Sequence, residues 1–192
     1  MESHRLDGPS QMAAHGRYWL ALPDRWPALK WGMIGLAVLT LGLVAISPWY
    51  GIYVRDDDSL PQYSFFLLKK GALPQRGDLV AFEMAQVYAD RVRPGGVQRP
   101  YARVGRLWLK QALGVEGDTV QINGRTVLVS DRPVATVIER DVFKQPVEPA
   151  TFDSPIPPGY YYLGLPHPRS FDSRVIGYVA AEDIRGVVWP IF

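Results

Sequence analysis

Thr119-Val-Gln-Ile-Asn123-Gly124-Arg-Thr-Val-Leu-Val129 is the stretch that sets the fold class. Two β-branched runs flank Asn-Gly, the pair preferred in two-residue hairpin turns, so a β-hairpin is predicted here. On either side, short apolar segments alternate with turn signals, and no window after Val54 holds a helical period for more than a turn or two. Strands are predicted over Asp78–Met84, Tyr101–Gly114, Tyr160–Leu165, Val175–Ala180 and Gly186–Ile191. Glu83 to Pro100, with Arg91, Arg93, Pro94, Gly95 and Gly96, reads as a polar excursion, and Phe143 to Pro158 as a proline-rich connector. No internal repeat is visible. The 17 Pro and 18 Gly, beside 47% hydrophobic and 21% charged residues, agree with a folded, turn-rich, mainly β domain.

With 192 residues the chain has room for one such domain and an anchor. Trp31 to Val54 reads WGMIGLAVLTLGLVAISPWYGIYV without a charge, longer than the roughly 30 Å hydrocarbon layer requires of a helix. One transmembrane helix is predicted, with Trp26 and Trp31 at one interface, Trp49, Tyr50 and Tyr53 at the other, and Pro48 at the helix exit. A cleavable signal peptide is the rival, because Ala45-Ile46-Ser47 resembles a small-x-small cleavage pattern. Pro48 and the long polar arm favour retention, and the length of the charge-free run favours a span over a buried core helix. Arg17, Arg25 and Lys30 precede the run, whereas Arg55 and then Asp56, Asp57 and Asp58 follow it. The expected division is therefore a cytoplasmic arm over 1–30, a span over 31–54 and a β domain over 55–192 on the far side, the periplasm of a bacterium.

Composition removes several function classes. A net charge of +2, from 21 basic and 19 acidic side chains, supplies no basic field for nucleic acid. There is no cysteine, and two of the three histidines, His4 and His15, lie in the arm with only His167 beyond it. Neither a thiolate nor a multi-histidine metal site is expected, and no cofactor is implied.

Two residues then stand out. Ser59-Leu60-Pro61 follows the membrane exit in a segment that Pro61 biases towards extended backbone; alone, it reads as an ordinary turn or strand entry, and it needs a partner to mean more. Lys110 interrupts the mostly apolar run Val104-Gly-Arg-Leu-Trp-Leu-Lys-Gln-Ala-Leu-Gly-Val-Glu-Gly117-Asp118. If its side chain is buried, desolvation disfavours the ammonium and leaves an amine able to take a hydroxyl proton. Strand alternation permits an outward lysine just as well.

Four segments in order resemble the bacterial type I signal peptidases, the S26 family, and most closely the conjugative-transfer TraF branch that processes pilin. They are Ser59-Leu60-Pro61, Arg76-Gly77-Asp78-Leu79-Val80-Ala81-Phe82, Lys110-Gln-Ala-Leu-Gly114-Val-Glu-Gly117-Asp118, and Gly164-Leu-Pro-His-Pro-Arg-Ser170-Phe-Asp172-Ser173-Arg174 with Gly177. The resemblance implies a signal-peptidase-like antiparallel β domain behind one N-terminal transmembrane helix. It implies Ser59 as nucleophile, Lys110 as general base and Ser170 as the hydroxyl that orients the amine, with Asp172 and Arg174 paired behind the site. Taken alone, that pair reads as a surface salt bridge of small value. The oxyanion would be held by the Ser59 backbone N–H, while the family's second donor position holds Asp57, which donates nothing when ionised. Gln111 in place of an arginine, and Gly164-Leu165-Pro166 at the start of the closing segment, point to the conjugative branch.

The expected partners are the bilayer and a preprotein or prepilin whose cleavage site carries small residues. That peptide would lie extended against the strand around Ser59 or the one before Gly77-Asp78. The resemblance also allows joining of pilin ends instead of hydrolysis. Two rivals remain: a Ser-His-Asp hydrolase with His167 as base and Asp172 or Asp153 behind it, and a non-catalytic, membrane-tethered β scaffold of a secretion apparatus, which Asp57 keeps open.

Overall fold

A computed structural model describes residues 26–54, 63–92, 102–140, 144–167 and 170–191. The chain forms two compact units, Met1–Ala45 and Ile46–Phe192.

In the first, α1 covers Trp26–Ile46, 21 residues or about 31 Å of helix, and Pro27–Ile46 is apolar enough to cross a bilayer. Its one hydroxyl, Thr40 Oγ1, donates to the Leu36 carbonyl at 2.8 Å, which satisfies a polar group where lipid offers no partner. Pro48 lacks an N–H and disfavours helix at Ser47, so the helix stops at Ile46. The charge-free run therefore divides. Tyr50–Val54, expected inside the span, is instead the strand β1, because aromatic and β-branched residues after the proline suit a sheet.

In the second unit, the strands are β1, β2 (Phe65–Lys70), β3 (Leu79–Glu83), β4 (Leu107–Gly114), β5 (Val120–Asn123), β6 (Thr126–Val129), β7 (Arg132–Thr136), β8 (Tyr160–Gly164), β9 (Val179–Ala180) and β10 (Ile184–Pro190). Seven pair in the order β1-β2-β10-β3-β4-β8-β9, and β5-β6-β7 form a separate sheet; the pairs are antiparallel. The mainly β class agrees with the sequence reading. The large sheet is curled: Tyr53 of β1 reaches across three strands to donate a long 3.4 Å hydrogen bond to the Leu107 carbonyl of β4. Inside the curl, Tyr53, Phe66, Leu68, Ala81, Leu109 and Val188 form one apolar cluster.

On the other face, the register Tyr50, Lys69, Val187, Val80, Lys110 runs as one row from β1 to β4. Towards β4 this face is covered by a second cluster that includes Val80, Phe82, Trp108, Ala112, Phe171 and Ile176. Towards β1 it is open, and Ile52, Leu67 and Trp189, paired side by side, are exposed.

Local departures from the predicted strands have identifiable causes. The hairpin at 119–129 forms, but Asn123 pairs with Thr126, so Gly124 and Arg125 make the turn rather than Asn123 and Gly124. Gly124 has φ 59°, and glycine first is the arrangement of a type II′ turn. Ser130 and Asp131, with φ 47° and 60°, turn the chain again into β7, a strand that Pro133 hid from the pattern. Residues 175–180, predicted as one strand, divide into α3 (Ser173–Ile176) and β9. Asp172 caps α3 by accepting from the Arg174 N–H, and Gly177, at φ 77°, ends it. The polar excursion contains α2 (Gln86–Arg91), and the strand expected from Tyr101 begins at Leu107.

Candidate active site

On β4, Trp108, Lys110 and Ala112 share one face, and all three are buried. The alternation left open by the sequence closes inward, since Lys110 is only 2% exposed. Val80 sits directly opposite it on β3, and its Nζ lies 5.1 Å from the centre of the Trp108 ring. A lysine this deeply buried is costly to keep charged unless it is paired.

The two segments that flank this lysine are stitched together. Gly77 N donates to the Ala112 carbonyl at 2.7 Å, Ala112 N donates to the Asp78 carbonyl at 2.9 Å, and Gln111 Nε2 donates to the Gly77 carbonyl at 2.9 Å. Gln111 thus uses the position where the family has arginine to hold the Gly-Asp turn. Asp118 accepts from Val115 N at 2.8 Å and Ser130 Oγ at 2.9 Å and pairs with Arg76. That pair ties the start of β3 to the small sheet. Both residues lie in the quoted segments, yet no spacing rule marks them as partners. Gly114 is glycine for a packing reason, because a Cβ there would press on Ile156, Val129 and Tyr162.

The closing segment carries the densest polar network. Arg174 and Asp172 are 2% and 1% exposed at their side chains, so they are no surface salt bridge. Arg174 Nε and Nη2 donate to the two carboxylate oxygens at 2.8 and 2.7 Å, the bidentate geometry of a strong charge-assisted pair. The remaining guanidinium N–H groups donate to the carbonyls of Thr136, His167 and Ser170 at 3.1, 3.0 and 2.9 Å. One buried cation therefore fixes the loop at both His167 and Ser170. Ser170 is buried, and its Oγ makes no hydrogen bond to any described residue. Phe171, its neighbour, packs in the same cluster as Val80, Trp108 and Ala112, so the closing loop and the lysine face meet in one apolar core. Tyr162 is buried beside them, and burial, then the Asp172 carboxylate, pushes its hydroxyl pKa upward.

Ser59, Leu60, Pro61 and Asp57 lie outside the described residues. The chain around them is described up to Val54 and again from Tyr63, with Val54 paired to Phe65. His167 is exposed and contributes its backbone carbonyl to Arg174 and to Ser170 N. Among the described residues no cluster of His, Asp or Glu could hold a metal ion.

A signal peptidase I from Leptolyngbya laminosa is 28% identical over 123 residues, 62% of this chain and 54% of that protein. The chain thus spans about half the length of that relative. A crystal structure of a signal peptidase I from Enterococcus faecalis V583 aligns at 25% identity over 60% of this chain and 96% of that one, with a TM-score of 0.37. The family model for signal peptidase, peptidase S26, matches residues 28–192, which takes in β1 to β10 and every described segment of the site. The chain belongs to that family.

Proposed function

We propose that the protein is a membrane-anchored serine endopeptidase that cleaves signal or leader peptides after small residues, with Ser59 as nucleophile and Lys110 as general base. The observation that carries this reading is the buried lysine on β4 of a chain that belongs to the S26 family. Contact with the Trp108 ring favours an ammonium by about 2 kcal/mol or more when desolvated, and removing that ammonium from water costs several kcal/mol. Desolvation pushes towards the neutral amine that a general base requires. In this reading the Ser170 hydroxyl, which is buried and makes no hydrogen bond to Lys110 or to any other described residue, is the group that orients the amine once substrate is bound, and Arg174 holds its loop through the Ser170 carbonyl.

The peptide lies extended as an added strand. Lys110 takes the Ser59 proton as the hydroxyl oxygen attacks the scissile carbonyl, and the Ser59 N–H donates to the oxyanion. Collapse of this intermediate expels the downstream amine, which takes the proton back from Lys110. Water then attacks the acyl-enzyme and gives a linear product; where the upstream fragment is the pilin itself, its own N-terminal amine can attack the ester instead, releasing Ser59 and closing a ring. Gln111 and Gly164-Leu165-Pro166 favour the conjugative, pilin-processing branch.

The bilayer is the second partner. Ile52, Leu67 and Trp189 lie on the same sheet face as Lys110, and β1 begins four residues after α1 ends. That open apolar face rests against the lipid surface, so the peptide is cut where it leaves the membrane. The arm preceding α1 is cytoplasmic and the catalytic domain periplasmic.

The test incubates the full chain in detergent micelles with a precursor carrying alanines at the cleavage site, and reads the intact mass of the acid-quenched mixture. An enzyme species heavier by the upstream fragment, attached at Ser59, is expected. Linear and cyclic products differ by the mass of one water. Absence of both adduct and cleavage would leave the scaffold reading instead. His167→Ala should keep kcat/KM within about threefold, since the dyad reading gives its imidazole no catalytic role and substitutions at exposed loop positions are mild; loss of cleavage there would reassign the base.

A further inference from the structure

The polar excursion after β3 does more than connect strands. Tyr88 and Ala89 of α2, and Val92 just after it, are buried in the cluster that holds Phe171, Val175 and Ile176. Two side chains then grip the chain as it leaves α3. Tyr88 Oη donates to Asp183 Oδ2 at 2.6 Å and accepts from Ala180 N at 2.9 Å. Arg91 Nη1 donates to the Ile176 carbonyl at 2.5 Å. Ile176 is the last residue of α3, where carbonyls lack intrahelical partners and a cationic side chain is a good substitute. The next residue, Gly177, has φ 77°, and a Cβ built on it would collide with the Arg91 guanidinium. Glycine here serves the backbone and also leaves a seat for the arginine.

We propose that Arg91 is a positioning residue for the reaction: by holding the end of α3 it sets how that helix sits, and so where Asp172 and Ser170 stand. This rests on the dyad reading, in which Ser170 orients Lys110. The lever is short. α3 has four residues, about 6 Å of helix, and Val175 N and Ile176 N both donate to the Asp172 carbonyl at 2.8 and 3.0 Å. Asp172 and Arg174 are bonded to each other, and Arg174 donates to the His167 and Ser170 carbonyls. A shift at Ile176 is therefore carried by this short helix as one body to the loop bearing Ser170.

Steady-state cleavage of an internally quenched peptide with alanines at its cleavage site, by the full chain in micelles, tests this. Arg91→Ala is expected to lower kcat about tenfold, since small misplacements near reacting groups are costly, with KM within about twofold because no substrate contact is lost. Arg91→Lys, which still places a donor near the Ile176 carbonyl, should recover most of the rate. Gly177→Ala should resemble Arg91→Ala, and the double variant should add little, as expected for groups in contact. If Gly177→Ala does not fold, the Ala and Lys variants at Arg91 still decide.

An unchanged kcat in Arg91→Ala, an equal loss in both Arg91 variants, or a loss confined to KM would overturn the proposal. Amide exchange at Ser170, whose N–H donates to the His167 carbonyl at 3.0 Å, gives a readout independent of turnover. It should quicken in Arg91→Ala and not in the exposed control Arg125→Ala; no change sinks the proposal even where cleavage itself proves absent. Cleavage that survives Ser59→Ala would instead sink the dyad reading.

Discussion

Lys110→Met is expected to abolish cleavage, by about 10⁴-fold or more in kcat/KM, while the domain keeps or gains stability. A positioned general base contributes roughly 10² to 10⁴ in rate, and removing one member of a nucleophile–base unit costs nearly as much as removing the whole. Ser59→Ala should therefore fall to the same floor, and the double variant no lower. Stability should move the other way. Methionine is close to lysine in length and has no charge to desolvate, and its surroundings, Val80, Trp108 and Ala112, are apolar. Replacing a buried polar group by a well-packed apolar one is commonly neutral or favourable. Lys110→Arg should be inactive and also unstable, since a guanidinium stays charged. Parallel measurement of kcat/KM and of a thermal melt separates these effects. Retention of activity within tenfold in Lys110→Met would remove the lysine from the mechanism.

Breaking the Asp172–Arg174 pair is expected to be the most destabilising single change in the site. Arg174→Met leaves a carboxylate in a place that is 1% exposed, and stranding one partner of a buried pair costs about 3–5 kcal/mol. For a domain of this size that corresponds to a fall in Tm of roughly 10 °C or more. Three carbonyls, of Thr136, His167 and Ser170, lose their donor at once, so the closing loop should loosen before the sheet does. Asp172→Leu combined with Arg174→Met should recover part of the loss, because no lone charge is then buried. A double variant less stable than either single one would show that the carbonyl contacts, and not the charges, dominate. Differential scanning calorimetry of the four proteins, wild type included, measures this directly.

Much of this architecture was legible in the chain. The hairpin at 119–129 declared itself because alternation and Asn-Gly act locally, and the apolar run declared an anchor because hydrophobic length needs no tertiary context. β1 was hidden for the same reason: Tyr50-Gly-Ile-Tyr-Val54 is as apolar as the span before it, and while Pro48 ends the helix, it is the pairing with β2 that makes the residues after it a strand. α3 was read as strand because Val175-Ile176 carries β propensity, while the Asp172 cap that overrides it acts through a hydrogen bond.

The residues by themselves determined the fold class, the candidate span and the identities of the candidate serine and lysine, since composition, periodicity and short motifs are local properties. Tertiary structure decided which way Lys110 points, that Asp172 and Arg174 are buried partners, that Gln111 holds Gly77, and that Arg91 reaches Ile176. Burial and long-range hydrogen bonds depend on which strands become neighbours, and strand order β10-β3-β4-β8 is written in no single window of the chain.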